Sequence, residues 1–138
     1  MAAAATVAEL PHRPQEARIG PILLVEDDFS IRRTIAEVLV EEGYEVTCAA
    51  DGREALSLLC DHGMRPRLII LDLWLPTMDG IQFRSQQKAL AGLCDVPVLV
   101  ITAARLLPRE LKDLGLHYVL RKPLQLEQLL EVTRLLSR

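Results

Sequence analysis

The sequence predicts an α/β fold: a doubly wound parallel sheet with helices on both faces. Three observations carry that expectation. Five short apolar runs alternate with five stretches of helical periodicity across residues 21–136. The runs are rich in Val, Ile and Leu with little polar alternation, as in strands buried on both faces. Several of them close on an acid, a hydroxyl or a lysine, at the strand end where open α/β sheets place ligands.

The elements follow in order. Residues 1–20 read as a flexible tail: Ala-rich, with Pro11 and Pro14 and no sustained apolar period. Without a basic start or a sufficiently apolar run, this tail is not expected to be a secretory signal. Residues 21–138 form the single expected domain. The first strand covers 21–26, with Ile22, Leu23, Leu24 and Val25 as its buried body and Glu26-Asp27-Asp28 at its end. A helix over 30–42 places Ile31, Ile35, Val38 and Leu39 on one face and stops at Gly43. Residues 44–49 make the second strand, and Asp51-Gly52 turns into a helix over 53–62 that stops at Gly63. The third strand runs from Leu68 to Leu71 and ends on Asp72; Pro76, Asp79 and Gly80 then mark a loop. The third helix is expected over 80–91 and the fourth strand over 97–101, closed by Thr102-Ala103-Ala104. Pro108 opens a short fourth helix that ends at Gly115. The last strand covers 116–121 and is closed by Lys122-Pro123. The last helix, 125–136, buries Leu126, Leu129, Leu130 and Leu136. Its Leu135 points away from that core, with Val132 at the margin. Alternation at this spacing calls for right-handed crossovers in one sheet.

Composition narrows the function. A chain of 138 residues, half hydrophobic and a quarter charged, suffices for one domain with a real core. A net charge of −3 without a basic stripe argues against nucleic-acid contact. No apolar run approaches the roughly 20 residues of a membrane span. Cys48, Cys60 and Cys94 are an odd number with no Cys-x-x-Cys pair. They read as core or near-core residues in a reducing cytosol rather than a disulfide framework or metal site. His12, His62 and His117 are scattered and suggest no metal cluster.

In a doubly wound sheet the strand ends bearing Glu26, Asp27, Asp72, Thr102 and Lys122 lie on one edge. Carboxylates gathered there repel one another by about 4 kcal/mol per pair at roughly 4 Å and an effective dielectric of 20. Lys122 offsets part of that repulsion. A hard divalent cation with oxygen ligands offsets the rest, and Mg²⁺ suits a site with few carboxylates that keeps several waters. Asp72 is then placed to act as a nucleophile toward phosphorus. The metal and Lys122 stabilise the transferring phosphoryl oxygens, and Thr102 offers them a hydroxyl.

These motifs carry a resemblance. Val-Glu-Asp-Asp at 25–28, Leu-Asp-Leu-Trp-Leu-Pro-Thr-Met-Asp-Gly at 71–80, Ile-Thr-Ala at 101–103 and Arg-Lys-Pro at 121–123 resemble the receiver domain of two-component response regulators, of the chemotaxis-regulator-like single-domain type. The resemblance covers residue 21 to the C-terminus. It implies a flavodoxin-like sheet of order 2-1-3-4-5. It implies Asp72 as phosphoacceptor from a histidine kinase or phosphotransfer protein, with no turnover beyond the chain's own phosphorylation and dephosphorylation. Asp27 would touch Mg²⁺ directly and Glu26 mostly through water, Trp74 would add its backbone carbonyl, and Thr102 and Lys122 would be the switch hydroxyl and the phosphate-binding lysine. The Lys122-Pro123 bond is often cis in that family. The chain departs from the pattern at Val119, which stands at the usual aromatic position, with Tyr118 one place early and on the opposite side of the strand. The stretch from Thr102 to Lys122 is short, and no output domain is expected within these 138 residues. The output surface is expected over 106–138, where Leu106, Leu107, Val119, Val132 and Leu135 would offer an apolar patch to a downstream protein or a second copy of the chain.

Three other readings compete. Haloacid dehalogenase-like phosphohydrolases place a second Asp two residues after the nucleophile, which here is Trp74. Dinucleotide-binding domains need a glycine-rich turn after the first strand, where this chain has acids. A receiver-like interaction module that works without phosphorylation is the third. It would not be modified by small phosphodonors plus Mg²⁺.

Overall fold

The computed structural model describes residues 20–104 and 109–138. Five strands, β1 (Ile22–Val25), β2 (Val46–Ala49), β3 (Leu68–Asp72), β4 (Val98–Thr102) and β5 (Tyr118–Arg121), alternate with five helices, α1 (Phe29–Glu41), α2 (Gly52–Cys60), α3 (Gly80–Lys88), α4 (Glu110–Asp113) and α5 (Leu126–Leu136). The strands form one sheet of order β2-β1-β3-β4-β5, and every neighbouring pair is parallel. This is the doubly wound, flavodoxin-like arrangement expected.

Side chains alternate between the two faces of each strand, so the sheet splits the core in two. Leu23, Val25, Ile69, Leu71, Val98 and Val100 pack with Ala55 and Leu59 of α2, Phe83 of α3 and Leu111 of α4. Ile22, Leu24, Leu68, Ile70, Leu99 and Ile101 pack with Ile35 and Leu39 of α1 and Leu129 of α5. The central strands β1, β3 and β4 are buried on both faces along their whole length, which explains their unbroken apolar runs.

Aspartates start the first three helices. Asp28 accepts from Ile31 N at 2.9 Å, Asp51 from Glu54 N at 2.8 Å and Asp79 from Gln82 N at 2.8 Å. Gln82 closes a capping box by accepting from Asp79 N. Gly80 is required where α3 meets the end of β3. A Cβ there would stand 2.6 Å from the Asp72 carbonyl and 2.8 Å from the Leu73 Cα.

Several boundaries differ from the expectation. The third helix stops at Lys88 rather than residue 91. Gln87 turns inward and donates to the Leu93 and Val96 carbonyls, and the chain tightens into successive turns. The fourth helix is four residues long. Its expected start at Pro108 lies outside the described residues, as do Leu106, Leu107 and residues 1–19. The last strand begins at Tyr118, because Leu116 N returns to the Leu111 carbonyl to close α4. The cysteine expectation is corrected at two positions: Cys60 and Cys94 are exposed, and only Cys48 is partly buried. Leu59 and Leu93 take the neighbouring core places and leave the thiols outside. Tyr118 is exposed, Val119 packs on the α4 side, and Leu135 faces solvent, as the strand and helix periods require.

Candidate phosphoryl-acceptor site

The carboxyl edge of the sheet gathers the acids. Glu26 follows β1 and is fully buried; Asp27, next in the chain, is exposed; Asp72 is the last residue of β3 and is 3% exposed. One oxygen from each lies within 4.8 Å of the others, a set able to hold a metal ion. Lys122 reaches in from the end of β5. Its Nζ is 2.6 Å from Glu26 Oε1 and 2.9 Å from Asp72 Oδ2.

The orientation of each acid has a local cause. Asp72 Oδ1 accepts from Trp74 N at 3.0 Å, which turns the loop after β3, while Oδ2 accepts from Lys122. Glu26 Oε2 accepts from Asp28 N at 3.0 Å. Glu26 Oε1 is buried and pairs with the Lys122 ammonium at 2.6 Å. Burial, helped by Asp72, pushes the Glu26 carboxyl up to about 7, against the opposing effects of Lys122 and the Asp28 N–H. Burial alone would lower the Lys122 ammonium, but hydrogen bonds to Glu26 and Asp72 outweigh it and the net shift is upward.

Thr102 ends β4, one residue beyond the register partner of Asp72. It is buried, its hydroxyl accepts from Ala104 N at 3.1 Å, and its carbonyl accepts from Lys122 N at 2.8 Å. That backbone bond ties the threonine and lysine ends together just before the cis Lys122-Pro123 bond. Trp74 stands two residues past Asp72 with its indole 58% exposed. The structure thus unites Glu26, Asp27, Asp72 and Lys122 and puts Thr102 on the same edge. An all-oxygen set of three carboxylates gathered around one ammonium fits a hard cation such as Mg²⁺.

Two features escaped the sequence reading. Arg32 of α1 turns back onto the acidic loop, with Nη1 2.8 Å from the Glu26 carbonyl and 3.3 Å from that of Asp27. A cation in the first turn, where the helix dipole disfavours it, was the available signal. Arg84 and Gln87 are buried inside the α2–α3–α4 layer and bonded to each other at 2.7 Å. Their place on the helical stripe with Phe83 was the signal there. Beside Lys122, a cavity of about 320 Å³ lies between α1 and the start of α5, lined by Ile31, Ile35, Pro123, Leu124 and Leu126 among others.

Residues 22–134 match the response regulator receiver domain model. The chain is 37% identical over 119 residues to response regulator MprA of Mycolicibacterium vanbaalenii, covering 85% of this chain and 50% of MprA. It therefore spans about half the length of that curated relative. Among solved structures, chemotaxis protein CheY4 of Vibrio cholerae superposes with a TM-score of 0.78 at 33% identity, over 86% of this chain and 98% of CheY4. The Mn²⁺-bound form of response regulator Rcp1 gives 0.68 at 30% identity, over 83% and 88%. The chain belongs to the response regulator receiver domain family.

Proposed function

We propose that Asp72 accepts a phosphoryl group from the phosphohistidine of a sensor histidine kinase or phosphotransfer protein, and that the phosphorylated chain signals to a partner protein. The supporting observation is Lys122 Nζ bridging Glu26 and Asp72 at 2.6 and 2.9 Å within an acid cluster. A carboxylate oxygen of Asp72 attacks phosphorus. The P–N bond breaks, and its electron pair returns to the imidazole of the donor. Lys122 exchanges its contact with Asp72 Oδ2 for a phosphoryl oxygen, so positive charge is in place where negative charge develops. The Thr102 hydroxyl turns from accepting Ala104 N–H to donating to another phosphoryl oxygen.

Asp27, Asp72 and the Trp74 carbonyl would hold Mg²⁺, with Glu26 acting through water. When bound, Mg²⁺ supplies charge that offsets the acids and the phosphoryl oxygens. The chain turns over no separate substrate; its chemistry is its own phosphorylation and dephosphorylation. Its place is the cytoplasm, where such donors and free thiols coexist. The output face is α4, β5 and α5, docking a downstream protein or a second copy. Its net charge is −3, and among the described residues no helix is long and apolar enough to cross a membrane; the proposed partners are therefore proteins.

Incubation with acetyl phosphate and Mg²⁺, read by intact mass, tests the assignment. Wild type should gain one phosphoryl group and Asp72→Asn none. Equal labelling of the variant would remove Asp72 as acceptor. No labelling of wild type by acetyl phosphate or a cognate kinase would favour a phosphorylation-independent module.

A further inference from the structure

The acidic loop is held from one side by a residue that is not an acid. Glu26 lies one residue beyond the last register pair of β1, Val25 with Ala49 and Leu71. Its N–H still donates to the Ala49 carbonyl at 3.0 Å. Beyond it the chain leaves the sheet, and each of the next residues is tied separately. The Glu26 carboxylate accepts from Asp28 N, and the Asp28 carboxylate caps α1. Asp27 is held through its carbonyl, which shares Arg32 Nη1 with the carbonyl of Glu26.

Arg32 is an unexpected residue for this place. It sits in the first turn of α1, where the helix end is already positive and four backbone N–H groups lack helical partners. Its guanidinium lies 5.6 Å from the Phe29 ring centroid, a stacking contact that steers the side chain back toward the loop. Both bonds come from one nitrogen, Nη1, of a planar group whose direction the ring contact helps to fix, a constraint that a flexible ammonium lacks.

We propose that Arg32 is a positioning residue for the cation site: by gripping the carbonyls of Glu26 and Asp27, it holds the Asp27 carboxylate in the acid cluster. The inference rests on the reading above that this cluster takes Mg²⁺. Its consequence runs against simple electrostatics. Removing a nearby positive charge should by itself strengthen binding of a divalent cation. Removing a support that orients a metal ligand should weaken it, by about 10-fold where such outer partners have been removed from metal sites.

The sign of the change therefore decides. Mg²⁺ is titrated against the fluorescence of Trp74, the chain's one tryptophan, in the full-length wild type, Arg32→Met, Arg32→Lys, Asp27→Ala and Lys122→Met. Melting in EDTA verifies that each variant folds. Lys122→Met is the electrostatic benchmark and should bind more tightly. Arg32→Met should bind about 10-fold more weakly, and Arg32→Lys, which keeps the charge and one donor group, should fall between it and wild type. Binding of Arg32→Met at or above wild-type affinity overturns the proposal, provided Asp27→Ala binds weakly. If Asp27→Ala also binds like wild type, the cation-site reading itself is wrong. Should Arg32→Met not fold, Arg32→Lys carries the test alone: weaker binding supports the grip and unchanged binding overturns it.

Discussion

Lys122 Nζ and Glu26 Oε1 lie 2.6 Å apart at the sheet edge, the lysine side chain 16% exposed and the glutamate fully buried. Among the described residues neither has a closer partner of opposite charge, and Asp72 shares the same ammonium at 2.9 Å. One cation thus serves two carboxylates. A site with surplus negative charge holds together but is not satisfied, which is the condition for taking up a divalent cation.

Lys122→Met should therefore destabilise the metal-free protein by about 3 kcal/mol, the lower end of the cost of stranding a buried charge. Proton uptake by Glu26 limits the loss. Urea denaturation in EDTA measures it, and added Mg²⁺ should restore part of it by binding only the folded state. A loss below about 0.5 kcal/mol, the scatter of ordinary surface substitutions, would mean the lysine is not needed to balance the acids.

The raised Glu26 carboxyl gives a pH signature. With the folded value near 7 and the ordinary value 4.5, the native state binds more protons than the unfolded chain between them. Stability from this group is fully present below about 4.5 and is lost as pH rises through about 7. In the metal-free protein, Glu26→Gln removes that dependence. The difference in Tm between variant and wild type should grow in the variant's favour from pH 5 to pH 8. A difference that stays flat would mean that Glu26 is already ionised throughout.

Arg84 carries a different kind of prediction. Burial pushes its guanidinium pKa down, with a smaller opposing contribution from Cys94. Among the described residues it has no carboxylate partner. It donates to Gln87 Oε1 at 2.7 Å and to the Leu114 carbonyl at 2.9 Å, pinning the end of α4 to α3. Arg84→Met leaves those acceptors without their donor and should cost about 2–3 kcal/mol. Equilibrium unfolding with an unchanged m-value would report it. A cost within about 0.5 kcal/mol would show that water replaces the guanidinium freely.

The fold and the meeting of Glu26, Asp27, Asp72, Thr102 and Lys122 on one sheet edge were legible because their signals are local. An apolar run closed by Asp72 needs only strand burial to be read, and Gly80 marks the turn beside it. Arg-Lys-Pro at 121–123 likewise names its own strand end. Arg32, Arg84 and Gln87 were not legible, because their meaning depends on which way a long side chain turns after the helices have packed. Arg32 bonds loop carbonyls six and five residues back, and Arg84 bonds a carbonyl 30 residues on. No periodicity encodes those choices. The cysteines show the same limit: Cys60 and Cys94 each sit one residue past a buried leucine, and a single step along a helix or turn carries the side chain outside.

The last prediction concerns the output face. Leu129 and Thr133 are the buried stripe of α5, while Leu135 is 51% exposed and Tyr118 of β5 is 44% exposed. Tyr118 shares its side of the strand with Leu120, which packs in the α1–α5 layer, so it lies on the same side of the sheet as Leu135. Val119 is on the other side, half-buried with Leu111 and Leu116, and so does not join that surface. Leu106 and Leu107 fall outside the described residues. The exposed apolar residues on this side are therefore Tyr118, on the edge strand β5 that pairs only with β4 in the sheet, and Leu135, on α5. An edge strand that carries an exposed aromatic side chain, on the side covered by a helix with an exposed leucine, favours a second copy of the chain. Phosphorylation at Asp72 would act by biasing an existing equilibrium, through Thr102 at the end of β4, the strand beside β5. Sedimentation of wild type with acetyl phosphate and Mg²⁺ should show concentration-dependent self-association. Tyr118→Ser with Leu135→Ser should remain monomeric while phosphorylating at Asp72 as wild type does, since neither residue touches the acids. Undiminished self-association of the double variant would place the output surface elsewhere, and lost phosphorylation would mean the pair supports the site as well as the face.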